Sequence, residues 1–390
     1  MSSSLSAVRP NGHTRRTRIV CIGDTHNRAV KLPEGDVLIH AGDLTNQGSY
    51  SELSKAVQWL EKTNFEKKIV IAGNHDITLD KDFYTIHSPS FHNQEHQDPA
   101  KCLSLFQSSR SLIYLQHESA TIKLTSTDGP GTEFTIFGSP YSPQYGNWAF
   151  MYPRSPQDPT APEANGTDDR EKANAAELWS AIPTDIDILV THTPALSHCD
   201  DDCGCWELRN TLAKVRPRLH VCGHVHQARG SQRVRWDIGT GNGAAAELAV
   251  EMWEDPNPDP RSAKMSLVDL TARGGKRPLD FDLEDPGLSS NSAPDHTSSQ
   301  PRLEPQPKAG AEPQPGSCDP TGRAGSPSLD PGPSVCGEQS INPLAEANRA
   351  GRRETCVVNC AIMTTGWPHK GAKQLNKPIV VDIDLPVWRR

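Results

Sequence analysis

The chain has 390 residues, of which 35% are hydrophobic, and its mean hydropathy of −0.61 is low for a chain packed along its whole length. The formal net charge is −8, and residues 251–345 alone carry −7 of it. The remainder is therefore nearly neutral and lacks the global positive field of a typical nucleic-acid-binding protein. No run of about 18 apolar residues is present, which excludes a membrane-spanning helix.

The first 16 residues are rich in Ser and Arg and lack the apolar stretch of a secretory signal. The ten cysteines are then expected to be reduced thiols. We therefore expect a cytoplasmic protein, with mitochondrial import as the less favoured alternative.

Short apolar runs bounded by turn residues predict strands buried on both faces, and apolar residues at helical spacing between them predict helices. The predicted strands are 18–22, 37–40, 68–72, 186–190 and 219–222, and the predicted helices are 51–62, 169–180 and 205–215. A second group without intervening helices predicts antiparallel strands at 121–124, 133–137, 233–237, 354–362 and 377–385. This alternation is typical of an α/β layered core.

The domain organisation follows from composition. Residues 251–345 hold 16 of the 33 prolines and are dominated by Pro, Ser, Gly and acids, which predicts a disordered insertion. Residues 1–16 are expected to be a disordered N-terminus. Residues 17–250 are expected to form the first part of one domain. The C-terminal strands in 346–390 are expected to complete that domain. Long loops are expected at 87–99 and 143–166.

Polar residues follow each of the five buried strands. They are Asp24 and His26 after the first strand, Asp43 after the second, Asn74 and His75 after the third, His192 after the fourth, and His224 and His226 after the fifth. In open α/β sheets the ligand binds beyond the carboxyl ends of the strands. Five strand ends converging on one edge therefore predict a single site.

The residue types indicate metal chemistry. Imidazole and oxygen ligands suit Mn, Fe or Zn rather than a thiolate zinc finger, and we favour Mn. Seven ligands are too many for one tetrahedral ion but suit two ions that share a bridging carboxylate. Such a pair lowers the pKa of a bridging water, so that hydroxide can attack a phosphate ester at neutral pH.

The segments VCIGDTHN, GDVLIHAGDLT, IVIAGNHD, DILVTHTP, PRLHVCGHVH and KPIVVDIDLP resemble the calcineurin-like metallophosphoesterases, and among them the small metallophosphoesterase-domain proteins of the brain type and the UPF0046-like group. The resemblance covers roughly residues 17–235 and 354–390. It implies a four-layer α/β/β/α sandwich, with the insertion preceding the C-terminal strands. The 251–345 insertion and the loops at 87–99 and 143–166 depart from the family pattern.

The resemblance also implies a role for each site residue. The first metal would bind Asp24, His26 and His226, the second would bind Asn74, His192 and His224, and Asp43 would bridge the two. His75 would be the catalytic residue, near the substrate but outside the metal shell, where it would stabilise phosphate oxygens or protonate the leaving group. Asp76 would orient it.

The expected function is metal-dependent hydrolysis of a small phosphodiester, such as a cyclic or linear nucleotide. One alternative is a weakly active or non-catalytic interaction protein of the same fold. Another is a nuclease, although the near-neutral body argues against a nucleic-acid partner. A protein phosphatase is less favoured. We expect no membrane partner, and the sequence does not identify protein partners of the insertion.

Other residues of similar chemistry have simpler interpretations. His40 and His220 lie inside apolar strands and are expected to be hydrogen-bonded core residues. Cys199, Cys203 and Cys205 lack paired C-x2-C spacing and are expected to be thiols, with a structural zinc as the alternative. The aromatic cluster at 141–148 either stacks a nucleobase or packs on the core, and packing is slightly favoured.

Overall fold

A computed structural model describes residues 13–91, 95–154, 158–159, 175–237, 246–259, 261–271, 273, 277–280, 351–365 and 374–388. All of them belong to one compact unit, formed by Met1–Glu284 and Asn342–Arg390. The other unit, Asp285–Ile341, lies outside the described residues.

The described chain contains fifteen strands and five α-helices. The strands are β1 (Thr14–Ile22), β2 (Val37–Ala41), β3 (Lys67–Ile71), β4 (Leu112–Tyr114), β5 (Glu118–Lys123), β6 (Glu133–Ser139), β7 (Ser142–Pro143), β8 (Met151–Tyr152), β9 (Ile188–Thr191), β10 (Leu219–Cys222), β11 (Gly230–Asp237), β12 (Ala246–Met252), β13 (Ser266–Asp269), β14 (Glu354–Asn359) and β15 (Ile379–Pro386). The helices are α1 (Tyr50–Glu61), α2 (Lys81–His87), α3 (Pro99–Gln107), α4 (Ala175–Ser180) and α5 (Trp206–Val215). No helix among the described residues combines the length and the apolar character needed to cross a membrane.

Two large sheets form the centre of the fold. The first has the order β13-β15-β1-β2-β3-β4 and the second has the order β12-β11-β14-β10-β9-β6-β5. Neighbouring strands of the first sheet are parallel except β1 and β15, and the run β14-β10-β9-β6 of the second is parallel too. Parallel strands place their carboxyl ends at the same edge, which is where the candidate site lies.

The core has one apolar layer between the sheets and one under the helices on each outer face. Ile39 of β2 and Val190 of β9 belong to the inner layer. Leu53 of α1 packs against the outer face of the first sheet, and Leu212 of α5 packs against that of the second. This arrangement confirms the predicted α/β/β/α sandwich.

Strand β13 corrects the predicted boundary of the insertion. It lies inside 251–345, pairs in parallel with β15, and buries Val268. The preceding segment is tied down as well, because Lys377 Nζ donates to the carbonyl of Asn257 at 2.6 Å. Averaging composition over the whole Pro-rich range concealed a four-residue strand. Residues 281–345 lie outside the described residues, so their disorder stays a prediction.

Two other predicted boundaries shift. Strand β1 begins at Thr14, opposite Pro386 of β15, so residues 14–16 are part of the sheet rather than a disordered N-terminus. The pairing with β15, which the Arg-rich sequence of 14–16 does not signal, extends the strand. Of the helix predicted at 169–180, the structure describes only α4.

Two histidines are buried in the strands, as predicted. Nε2 of His40 lies 2.9 Å from Thr25 Oγ1, and Nε2 of His220 lies 2.8 Å from Thr191 Oγ1. Both rings are fully buried, and burial lowers the pKa of each from 6.5 to about 3. They are therefore neutral in the folded protein at pH values where they would be protonated in the unfolded chain.

We expect these two histidines to make the fold acid-sensitive. Below pH 6.5 the unfolded state binds more protons, so the free energy of unfolding should fall by about 1.4 kcal/mol per pH unit for each histidine until pH 3 is approached. Urea unfolding of the wild type and of the double variant His40→Gln/His220→Gln between pH 7.5 and 5 would measure this. Parallel pH dependences of the two proteins would contradict it.

Candidate metal centre

The five predicted motifs meet where the two sheets face each other. Strands β1, β2 and β3 belong to the first sheet, whereas β9 and β10 belong to the second. The sequence predicted a site at one edge of a single sheet. The structure instead builds the site from the carboxyl ends of strands in both sheets. All seven predicted ligands come together there.

The first group of ligand atoms belongs to Asp24, His26, Asp43 and His226, which all lie within 4.8 Å of one another. The Nε2 atoms of His26 and His226 are 3.4 Å apart. His226 Nε2 is 3.4 Å from Asp24 Oδ1, and His26 Nε2 is 3.6 Å from Asp43 Oδ2. Two carboxylates and two imidazoles therefore surround one small volume.

The second group shares Asp43 with the first. It contains Asp43, His192 and His224, whose ligand atoms also lie within 4.8 Å of one another. His192 Nε2 is 3.4 Å from Asp43 Oδ1 and 3.2 Å from His224 Nδ1. The amide oxygen of Asn74 is 2.9 Å from the same nitrogen and completes a set of four donors. The two oxygens of Asp43 thus face different groups.

The protonation pattern of the histidines fits divalent cations. A carbonyl oxygen can only accept, so Nδ1 must donate from His26 to Thr45 at 3.1 Å, from His192 to Ala41 at 2.9 Å and from His226 to Thr365 at 2.6 Å. In the neutral rings the Nε2 lone pairs then point at one another and at the carboxylates. Such a cluster of acceptors is stable only around a cation or a proton, which is the usual arrangement of metal-binding histidines.

Burial and the neighbouring charges shift the pKa values of the groups at this site. Burial alone would lower the pKa of His192, but the Asp43 carboxylate raises it to about 9. Conversely, burial opposes the charge on Asp43, yet His192 and His75 hold the pKa of Asp43 well below its usual range. Burial and the neighbouring His192 lower the pKa of His224 to about 3, so His224 is ready to bind a metal without losing a proton.

We expect metal binding at pH 7 to release protons from His192 and His226, because neighbouring carboxylates raise the pKa of both rings, that of His192 to about 9. The metal affinity of the second group should therefore fall as the pH is lowered from 9, by up to about tenfold per pH unit. Calorimetric titration in two buffers of different ionisation enthalpy would count the protons. His224→Asn should weaken binding without changing that count, and a wild-type affinity that does not vary with pH would contradict the expectation.

The backbone at the site is strained. Asp24, His26, Asp43 and His224 have φ values of +52°, +41°, +53° and +67°, in the left-handed region that residues with a side chain rarely adopt. Such strain is typical of functional sites, where the surrounding structure enforces it. Sequence reasoning did not detect it, because the local sequence does not report φ.

Two glycines allow the carboxylates to approach the backbone. A Cβ built on Gly73 would overlap Oδ1 of Asp43, and a Cβ built on Gly223 would overlap Oδ2 of Asp24. The backbone N–H of His224 then donates to both oxygens of Asp24, at 2.9 and 3.0 Å. In the sequence, this close approach of a carboxylate to the backbone is indicated by the Gly that precedes the ligand in GNHD and GHVH.

His75 lies beside the two groups of ligands. Its backbone N–H donates to Oδ1 of Asp43 at 2.8 Å, and its Nδ1 donates to the carbonyl of Asn46 at 2.9 Å. Asp76 was expected to orient this ring, but the structure gives that place to Asn46. The Asp76 carboxylate instead accepts hydrogen bonds from Gly73, Leu44 and Thr45. Asp76 therefore fixes the backbone that carries the site.

A cavity of about 360 Å³ opens onto the candidate metal ligands. Its lining also contains Pro143, Tyr145, Trp148, Met151 and Arg154, all from the predicted long loop at 143–166. Trp148 packs on His75, whereas the Tyr145 side chain is 80% exposed at the opening. The aromatic cluster thus combines a packing residue with one that is free to meet a ligand.

The neighbouring cysteines have structural surroundings. Cys205 is the N-cap of α5, and its sulfur accepts from the backbone N–H of Leu208. His198 is bonded to Gln232 and Glu247 instead of facing a metal. Within the described ranges, neither group of potential metal ligands includes a cysteine, which favours ordinary thiols over a structural zinc.

The sequence model of the calcineurin-like phosphoesterase family matches residues 17–228, more than half of the chain and all seven candidate ligands. The human metallophosphoesterase domain-containing protein 1 is 37% identical over 242 residues, which are 57% of this chain and 64% of that protein. The UPF0046 protein K07C11.7 of Caenorhabditis elegans is 35% identical over 231 residues, covering 57% of this chain and 67% of that protein.

A further relative is a probable rhamnogalacturonate lyase C of Emericella nidulans. It is 40% identical over 236 residues, which are 60% of this chain but 19% of that protein. The chain thus spans about a fifth of this relative and slightly under two thirds of the human one. The family match, together with the order of the motifs and their convergence on one site, shows that the chain belongs to the calcineurin-like phosphoesterase family.

Proposed function

We propose that this protein hydrolyses small phosphodiesters, such as cyclic or linear nucleotides, with two divalent metal ions. The observation that carries the proposal is the position of Asp43, whose two oxygens belong to two adjacent groups of four metal ligands each. When bound, such ions supply Lewis-acid charge and a water of lowered pKa, which are the requirements of phosphate-ester hydrolysis. Imidazole and oxygen donors without thiolate support Mn, Fe or Zn, and we favour Mn.

The lining residues of the cavity would hold the substrate against the two groups of candidate ligands. His75 lines the cavity and its Nδ1–H donates to the carbonyl of Asn46, so the ring would offer a proton to the ester from Nε2 in its imidazolium form. We assign His75 to stabilise a phosphate oxygen or to protonate the leaving group, a role that contributes about 10²–10⁴-fold in enzymes.

The cavity supports a diester rather than a monoester. Among its described lining residues, Arg154 is the one cationic side chain besides the histidines, and its guanidinium already donates to Asp158 and to the carbonyls of Gly204 and Cys203. Apart from the metal ions and the histidines, the extra negative charge of a monoester would therefore find no cationic side chain in this lining that is not already paired. The second substituent of a diester would instead meet the apolar wall that contains Tyr145 and Met151.

The test uses the full chain loaded with Mn, Fe or Zn. We expect turnover of bis(4-nitrophenyl) phosphate to exceed that of 4-nitrophenyl phosphate, and a 3′,5′-cyclic nucleotide to be hydrolysed. Two bound metals without turnover of any ester would overturn the proposal in favour of a non-catalytic interaction protein. Salt-dependent cleavage of single-stranded nucleic acid, with no action on small diesters, would favour a nuclease instead.

We also propose a location in the cytoplasm. The eight cysteines in the part of the chain that the structure describes are all free thiols, which supports a reducing compartment. Fractionation of cells that express the tagged protein would test this, and recovery in an organelle lumen would contradict it.

A further inference from the structure

The indole of Trp148 lies against the imidazole of His75. The two ring centroids are 4.0 Å apart and the ring planes are inclined by 35°. On another side, the ring of His26 meets His75 edge-on at 4.8 Å. With the hydrogen bond from Nδ1 to Asn46, the His75 ring is therefore restrained by three neighbours, of which Trp148 makes the closest ring contact.

Trp148 is itself held in place. The next residue, Ala149, donates its backbone N–H to the carbonyl of Asn74 at 3.3 Å, and Phe150 N–H donates to Asp80 at 2.8 Å. The ring of Phe91 backs the indole, at a centroid distance of 5.5 Å. The loop that carries Trp148 is thus bonded directly to the backbone of the third metal-ligand motif.

We propose that Trp148 is a positioning residue for His75, because the indole covers one face of the imidazole that reaches the reacting ester. The inference rests on the proposed function only in assigning proton donation to His75. The proposal adds to the site a residue from the 143–166 loop, which departs from the family pattern.

Trp148 would position His75 because the imidazole ring could rotate more freely if the indole were absent. Its single hydrogen bond at Nδ1 permits rotation about that bond, and the contact with His26 is only an edge. Without Trp148, one face of the ring would be open to water and Nε2 would no longer be fixed toward the ester. Misplacement of a catalytic group by about 1 Å can cost about 10²-fold in rate.

A pair of esters distinguishes positioning of His75 from general damage. Methyl 4-nitrophenyl phosphate has a leaving group that departs as a stable anion, whereas methyl phenyl phosphate has a more basic one that needs the proton. We expect Trp148→Leu to lower kcat/KM about tenfold more for methyl phenyl phosphate than for the nitrophenyl ester. Trp148→Phe should restore most of the loss, since it keeps a flat ring against His75.

The control is Tyr50→Leu, which removes an exposed aromatic ring that does not line the cavity. It should leave the ratio of the two rates unchanged. In a His75→Ala background, Trp148→Leu should have no further effect on their ratio. Equal losses for the two esters with Trp148→Leu, or a ratio that still changes without His75, would overturn the proposal.

An NMR measurement makes the inference independent of turnover. The indole ring current should displace the His75 ring proton signals, which His75→Ala identifies by their loss. Trp148→Leu should shift these signals and Tyr50→Leu should not. If the wild-type protein hydrolyses neither ester, the proposed function fails while this readout still decides on the contact: an unshifted His75 signal overturns it.

Discussion

Replacing Asp43 with alanine is expected to remove both metal ions and to reduce turnover at least about 10³-fold, since loss of one charge-stabilising group alone costs about 10²–10³-fold in enzymes. The reason is that Asp43 is the one residue shared by the two groups of ligands. Each group would lose an anionic donor, and His75 would lose the acceptor of its backbone N–H. Elemental analysis and turnover of a bis-aryl phosphate, measured on the same samples, test this.

Asp82→Ala serves as the control, because Asp82 is an exposed carboxylate on α2. It should retain the wild-type metal content and rate. Asp43→Asn preserves the shape of the side chain and an acceptor for the backbone N–H of His75. A loss of metal in this variant as well would therefore not be due to misfolding. A full complement of two metals in Asp43→Ala would contradict the assignment of Asp43 as the bridging ligand.

Gly73→Ala is expected to lower turnover by about 10²-fold without touching any ligand chemically. The added methyl group would overlap Oδ1 and the backbone nitrogen of Asp43 and crowd His192, so the bridging carboxylate must move. We also expect the free energy of unfolding to fall by about 1–3 kcal/mol, as is typical of overpacking. Metal content, turnover and the denaturation midpoint would be measured together.

Gly230→Ala is the matched control for this substitution. A methyl group there would have its nearest described neighbour, the carbonyl oxygen of Ala228, at 3.9 Å, so neither turnover nor stability should change by a comparable amount. If Gly73→Ala bound metals and turned over substrate like the wild type, the close approach of Asp43 to the backbone would not be required for the site.

The seven candidate ligands could be found in the sequence because each lies just after a short apolar strand. Strand β2, for example, is the run VLIHA followed by Gly42 and Asp43. Such a pattern predicts both the strand and the position of its carboxyl end. Motifs of this kind allow the site residues to be predicted even when the sequence does not indicate which sheet each strand joins.

Other features left no local signal. Helix α3 buries only Cys102 and Phe106, so its apolar periodicity is weak, and β12 is almost entirely exposed. The contact between Trp148 and His75 joins residues that are far apart in the sequence. The partner of His75, Asn46, contributes a backbone carbonyl, and any residue type at position 46 would provide one. Contacts of this kind depend on the tertiary fold and not on the local pattern.

The places of β14 and β15 have a consequence for biosynthesis. Strand β14 lies between β10 and β11, and β15 lies between β1 and β13, so each sheet has an open gap until these last strands exist. At about 5–20 residues per second, a ribosome needs about 10–30 s to pass from residue 228 to the end of β15. During that interval the nascent chain holds all seven candidate metal ligands but presents unpaired strand edges, which is the condition under which chains depend on chaperones. Messages truncated before residue 354 should therefore yield aggregates rather than a smaller folded protein.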